Sequence, residues 1–275
     1  MNGASRKIFL DTNALRYLGK AFNDTSLDDE VRNSLLMSPI SAMELVSQLA
    51  TQGADEALAA IQAITHIHNP KRTGLLPWSD EAFRMAIFGL PPRSDGLTET
   101  ISNAINTCLS AATAAELYDD SLELRKLLNQ AKAEATENFS ALLESRRLEG
   151  PLADELHRGI FARSIAKRAG VSQDAVDIGI TVDRLNALYT YEVNKLENAA
   201  SAREYNVAKH ANDVFDAEQL IHLADPTLHL VTSDTGFNLA RESSQSSQIH
   251  VVPVASMSDA GEAAEVLRAI LVTNG

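Results

Sequence analysis

A single cysteine, Cys108, is all that this 275-residue chain contains. One thiol excludes an internal disulfide and a zinc site built from several cysteines, and it fits a reducing cytosol. Long apolar runs are missing too: nothing approaches the ~18 consecutive apolar residues that a membrane-spanning helix needs. The opening Met1-Asn2-Gly3-Ala4-Ser5-Arg6-Lys7 leads into a short strand-like run rather than the apolar core of a signal peptide. We therefore expect a soluble, cytoplasmic protein. Positive charge is in deficit, with 24 Lys and Arg against 37 Asp and Glu and a formal net charge of −13. That balance argues against broad, non-specific nucleic-acid binding, because a phosphate backbone rewards basic surfaces. It does not exclude a local acidic site whose charge a divalent ion partly neutralises. Most of the surplus acid serves solubility. Internal repeats and low-complexity tracts are absent, while apolar residues at 45% allow a substantial core.

The pattern along the chain falls into three parts. Lys7-Ile8-Phe9-Leu10-Asp11 reads as a buried strand followed by a helix over 12–19. Residues 35–40 read as a second strand that Pro39 weakens or ends. A helix is expected from Ser41, with Met43, Val46, Leu49 and Ala50 at helical spacing and Gly53 as its stop, then another over 54–67. Residues 78–204 change character and become rich in Ala, Leu, Glu, Lys and Arg. There, 110–148 reads as one long helix or a hairpin, Gly150-Pro151 as a break, and 152–169 and 173–200 as helices with Ser172 capping the latter. Pro91 to Gly96 and Arg241 to Ser247 read as loops. After residue 210 strands return, at His229–Thr232 and Ile249–Val254. They are flanked by a helix to about Ala224, capped by Asn212 or Asp213, and by another over 258–271. Strands alternating with helices point to an α/β fold with a central parallel sheet. The expected organisation is one α/β domain made of residues 1–77 and 205–275, interrupted by an all-helical insertion over 78–204.

The acidic residues are placed where such a fold does chemistry. Asp11 and Asp234 each follow an apolar run, and carboxylates at the C-terminal ends of parallel strands open onto the crevice where ligands bind. Asp11 can cap the following helix or hold an ion, and its position at a strand end favours the ion. Glu44 has two readings of equal weight: a metal ligand, or the far end of a Ser41-x-x-Glu44 capping box. Asp213 reads as a helix cap. Asp216 lies beside the apolar stripe of Ala217, Leu220, Ile221 and Ala224, where an acid must be paired, hydrogen-bonded or metal-bound. Together these carboxylates form a hard oxygen set suited to Mg²⁺ or Mn²⁺.

Four segments carry a resemblance: Ile8-Phe9-Leu10-Asp11-Thr12-Asn13, Ile40-Ser41-Ala42-Met43-Glu44-Leu45, Asn212-Asp213-Val214-Phe215-Asp216-Ala217, and Leu230-Val231-Thr232-Ser233-Asp234-Thr235-Gly236-Phe237. The chain resembles the PIN-domain nuclease family, whose small members have nothing like residues 78–204. The resemblance implies a three-layer α/β/α sandwich, here with a large helical insertion. It implies a metal-dependent nuclease, foremost an endoribonuclease, with Asp11, Glu44, Asp216 and Asp234 as the acidic quartet. Thr12, Asn13, Asp213, Thr232 and Ser233 match supporting positions, with Thr232 or Ser233 placed to hydrogen-bond a carboxylate or water. The implied cofactor is Mg²⁺ or Mn²⁺, the implied substrate RNA or structured DNA, and a further partner an antitoxin or other inhibitor protein.

Hydrolysis on such a site is in line, releases a 3′-hydroxyl and a 5′-phosphate, and needs no Ser, Cys or His nucleophile. His66, His68, His210 and His222 then read as structural, with His222 a satisfied core residue. Arg146, Arg147, Arg158, Arg163, Lys167 and Arg168 form the densest basic stretch. They read either as a solvated helix face with acidic partners or as a phosphate-gripping surface. The competing function is a catalytically silent PIN-like scaffold that binds a protein or nucleic acid through its helical segment. A haloacid-dehalogenase-like enzyme would want Asp-x-Asp where this chain has Asp11-Thr12-Asn13.

Overall fold

The computed structural model describes residues 5–22, 24–50, 54–64, 75–93, 97–151, 153–210 and 212–272. Among them, four strands form one parallel sheet: β1 (Lys7–Leu10), β2 (Leu35–Met37), β3 (Leu228–Thr232) and β4 (Ile249–Val251), in the spatial order β2-β1-β3-β4. The chain is thus α/β and mostly helical. The two central strands, β1 and β3, are buried on both faces, which is why they read as apolar runs, while the edge strand β4 is half-buried. Ile8 and Leu10 point to one core cluster and Phe9 to the other, as the two-residue period of a strand requires. On the Ile8 side pack α1 (Thr12–Ala21), α3 (Pro39–Ser47), α4 (Ala54–Ala63) and α13 (Ala260–Val272). On the Phe9 side pack α5 (Ser79–Phe88), α8 (Asp154–Arg168) and α10 (Asn186–Ser201). The remaining helices are α2 (Asp29–Ser34), α6 (Leu97–Ser110), α7 (Tyr118–Glu149), α9 (Ile178–Arg184), α11 (Asn212–Gln219) and α12 (Val254–Ser258). Residues between 78 and 204 contribute to both clusters, Ile101, Leu124 and Leu128 to the first and Phe83, Phe161 and Leu188 to the second. No helix among the described residues is long and apolar enough to cross a membrane.

Several local expectations shift, each for an identifiable reason. β2 ends at Met37, and α3 starts two residues earlier than its sequence signature, with Ser38 as N-cap and Pro39 at N1. Proline's fixed φ and missing N–H suit that first helical position. Ser41 therefore lies inside the helix, where its hydroxyl donates to the Leu10 carbonyl at 3.2 Å. The capping-box reading of Glu44 falls with it. The expected helix over 173–200 is instead a short 3₁₀ turn, Gln173–Ala175, then α9 and α10 meeting at Leu185; Ser172 caps the 3₁₀ turn. The helix after Asn212 tightens into a 3₁₀ segment over Leu220–Ala224. Asp213 is inside it rather than capping it. Residues 118–149 form one helix, not a hairpin. β4 is shorter than expected, and Asp259 caps α13 through the Glu262 N–H. The 241–247 loop is partly embedded, because Ser243 is buried and the Gln245 amide bonds the Arg184 and Leu223 carbonyls. Gly53, residues 65–67, His66, His68 and residues 94–96 lie outside the described residues.

The sheet has a switch point between β1 and β3. From β1 the chain moves outward to β2, and from β3 it moves the opposite way to β4. The crossover connections therefore diverge above the C-terminal ends of β1 and β3 and leave a crevice there. Asp11 and Asp234 follow those two strands.

Candidate metal centre

Asp11 follows β1 and caps α1. Its Oδ1 accepts from the Ala14 N–H at 2.7 Å and its Oδ2 from the Thr232 hydroxyl at 2.6 Å. Capping and membership of the acid site thus hold together in one side chain. It is 4% exposed, and burial, reinforced by the charges of Asp234 and Glu44, pushes its carboxyl up to about 6 against the two hydrogen bonds. Thr232 also accepts from the Asp234 N–H at 2.9 Å, so one hydroxyl ties the ends of β1 and β3 together. Asp234 caps the following 3₁₀ turn, Thr235–Ala240, through the Gly236 N–H at 2.7 Å. The neighbouring Ser233 hydroxyl is buried with no partner among the described residues. The bridging role belongs to Thr232, not Ser233.

Glu44 reaches the crevice from α3. Its Oε2 accepts from the Thr12 hydroxyl at 2.5 Å, and its Oε1 lies 3.4 Å from Lys132 Nζ on α7. Lys132 also sits over the Phe215 ring, 5.5 Å from its centroid. Asp213 Oδ2 pairs with His210 Nδ1 at 3.1 Å and with the buried Lys195 Nζ at 3.7 Å. Asp216 differs from both. No group among the described residues donates to it, and its carboxyl is pushed up to about 8, first by burial and then by the charges of Glu44, Asp234, Asp11 and Asp213. All five acids line one cavity of about 480 Å³, together with Thr12 and Asn13. Among the described residues, no three His, Cys, Asp or Glu side chains are grouped closely enough to hold an ion as they stand.

The positive charge around this cavity comes from Arg16, Arg125, Lys132 and Lys209. Arg125, Asn129 and Lys132 lie on one face of α7, at the i, i+4, i+7 spacing beside the Leu124 and Leu128 stripe. That polar edge is visible in the sequence, but its target is not, because it depends on α7 crossing α3. The basic stretch singled out in the sequence lies elsewhere. Arg146 makes a two-armed pair with Glu197 at 2.7 and 2.6 Å, and Arg147 bonds the Ala199 and Ala202 carbonyls. Arg158 faces Asp183 at 3.9 Å, and Arg168 bridges Asp80 and Glu218 over the Phe83 ring. Arg163 and Lys167 are exposed on α8. None of the six lines the acid cavity.

His210 stacks on Tyr205 with ring centroids 4.7 Å apart. His222 is in the core as expected, edge-on to Phe9 and pushed down to about 3 by burial. Its Nε2 nevertheless lacks a partner among the described residues, so it is not a satisfied core histidine.

Thr232→Val should cost about 1–3 kcal/mol at pH 8, because it leaves buried Asp11 with one acceptor unmet. The loss should shrink at pH 4, where Asp11 is protonated. Denaturant midpoints at the two pH values measure this, and equal midpoints for variant and wild type at pH 8 would remove the bridge from the account.

Comparisons of the chain with protein-family models, with curated proteins and with solved structures return no match.

Proposed function

We propose that this protein is a PIN-like, divalent-metal-dependent endoribonuclease, a three-layer α/β/α sandwich carrying residues 78–204 as a helical insertion. One observation carries the reading. Acids from four distant segments share one cavity at the switch point of a parallel sheet, and the most crowded of them, Asp216, has no hydrogen-bond donor or ion-pair partner among the described residues. An all-oxygen, carboxylate-only donor set fits Mg²⁺ or Mn²⁺. Asp11, Glu44, Asp216 and Asp234 would hold the ion, which supplies Lewis-acid activation of water and neutralises charge on the scissile phosphate. The chain's own residues do the rest. Thr232 and Thr12 orient the Asp11 and Glu44 carboxylates, while Arg16, Arg125 and Lys209 supply positive charge for the neighbouring phosphates. Lys132 beside Glu44 holds part of the charge balance in the cavity.

Labelled RNA and DNA incubated with Mn²⁺, Mg²⁺ or EDTA test this directly: RNA is cut with either ion and spared in EDTA. Cleavage that persists in EDTA would defeat the metal. No cleavage of either polymer would favour the silent scaffold, a reading that draws on Glu44 and Asp213 being engaged by lysines and on the lack of an ion-holding trio among the described residues. The exposed cations separate the two candidate nucleic-acid surfaces. Lys209→Glu should weaken RNA binding and lower the salt slope by about one, whereas the pair Arg163→Glu and Lys167→Glu should leave both unchanged. The opposite ranking would return the substrate surface to α8.

A further inference from the structure

Away from the acid cavity, a larger one of about 700 Å³ lies beside β4, between the 241–247 loop and α13. Among the described residues no Asp or Glu lines it, in a chain where acids outnumber Lys and Arg by 37 to 24. Its polar wall includes Arg6, Arg241, His229, His250, Asn238, Ser246 and Ser247. The sheet register builds this cluster. His250 pairs with Val231 across β3 and β4, and His229, two residues before Val231, points to the same face. The two imidazoles meet at 3.0 Å, Nδ1 of His229 to Nε2 of His250, with His229 only 4% exposed. Burial and the Arg6 charge hold both rings below the usual histidine range, so both are neutral at pH 7. Arg6 Nη1 donates to the Ile270 carbonyl at 2.9 Å. Among the described residues no carboxylate stands at ion-pair distance from Arg6 or Arg241. This pocket gathers positive charge and hydrogen-bond donors, with no acid among the described residues that line it.

We propose that this cavity is a binding site for a phosphate monoester of a small organic molecule. Two guanidinium groups, two hydroxyls and an imidazole offer more donors than the two oxygens of a carboxylate accept. A phosphomonoester brings three terminal oxygens and close to two negative charges, which match them. The volume lies in the range of organic ligand pockets, and Val251, Val266 and Ile270 give an apolar wall for the ester's body. The site is independent of the acid cavity and stands whether or not the chain is a nuclease.

The test is an NMR titration of the full chain in EDTA, following the His229 and His250 ring nitrogens with AMP, ribose 5-phosphate, inorganic phosphate and acetate. AMP and ribose 5-phosphate should move both histidines and bind more tightly than inorganic phosphate, and acetate should not bind. Arg241→Ala, an exposed position, should weaken AMP by roughly tenfold or more, since a hydrogen bond to a charged group is lost. His250→Asn should weaken it as well, while Asp216→Asn should bind AMP as the wild type does. The proposal fails if the histidines stay still to about 10 mM AMP. It fails equally if acetate matches the phosphates, if inorganic phosphate matches AMP, or if Asp216→Asn abolishes binding and so moves the ligand to the other cavity.

Discussion

Asp216→Asn should make the metal-free protein more stable at pH 8, against the usual direction for a substitution inside a packed site. The folded protein holds this carboxyl at about 8 against an ordinary 3.8. Below pH 3.8 the group is protonated folded or unfolded and contributes no difference. As pH rises past that value the unfolded chain ionises while the folded protein keeps its proton, so stability declines until the pH passes the folded value. At ~1.36 kcal/mol per pH unit that interval sets a ceiling near 6 kcal/mol, and solvent screening at an effective dielectric near 20 lowers it to about 2–3 kcal/mol. Asparagine keeps the shape and removes the charge, so its advantage should grow from nothing near pH 4 to that figure at pH 8. Urea midpoints in EDTA across this range measure it. Saturating Mn²⁺ should reverse the order, because an ion that binds only the folded state stabilises the wild type through mass action and the variant much less. A variant that is no more stable than wild type at pH 8 in EDTA would mean that Asp216 finds a partner in solution, and the crowding argument would be lost.

Asp11→Asn should abolish metal-dependent RNA cleavage, by roughly a thousandfold or more, equivalent to about 4 kcal/mol of transition-state stabilisation. Asp11 is the acid most tightly held in place, fixed by Ala14 on one oxygen and Thr232 on the other. Its replacement by asparagine should also disturb the fold little. Asparagine caps a helix as well as aspartate does, and the Thr232 hydroxyl can turn to match an amide. A thermal midpoint near that of the wild type, with cleavage gone, would therefore read as lost chemistry rather than lost structure. Retained cleavage would remove the carboxylate cavity from the mechanism.

Much of the architecture was legible because the strands carry their own signal. Ile8-Phe9-Leu10 and Leu228 to Val231 are short apolar runs that only a sheet covered on both faces accommodates. Asp11 and Asp234 were legible for the same reason, as the first acids after those runs. Glu44 was ambiguous, because a Ser-x-x-Glu pattern fits a cap and a ligand equally. The ambiguity ends with Pro39, which starts α3 early and buries Ser41 against β1. Asp213 and Asp216 share a helix face in any reading, and what separates them is the company they keep. Asp213 pairs directly with Lys195 and His210, whereas Asp216 has no ion pair among the described residues and is crowded by Glu44, Asp234, Asp11 and Asp213.

By itself, the order of residues determined a parallel α/β core, the strand ends that carry acids, and a long helical stretch between them. Those are consequences of local period and composition, which act over a few residues. Tertiary structure decided which charges meet. Lys132 and Arg125 reach the acid cavity only because α7 lies across α3, while Arg146 and Arg168, just as basic in the sequence, are consumed by Glu197, Asp80 and Glu218. His229 and His250 touch only because of the register between two strands. An ion pair or a hydrogen bond is a matter of a few ångströms between groups far apart in the chain, and no local pattern encodes that distance.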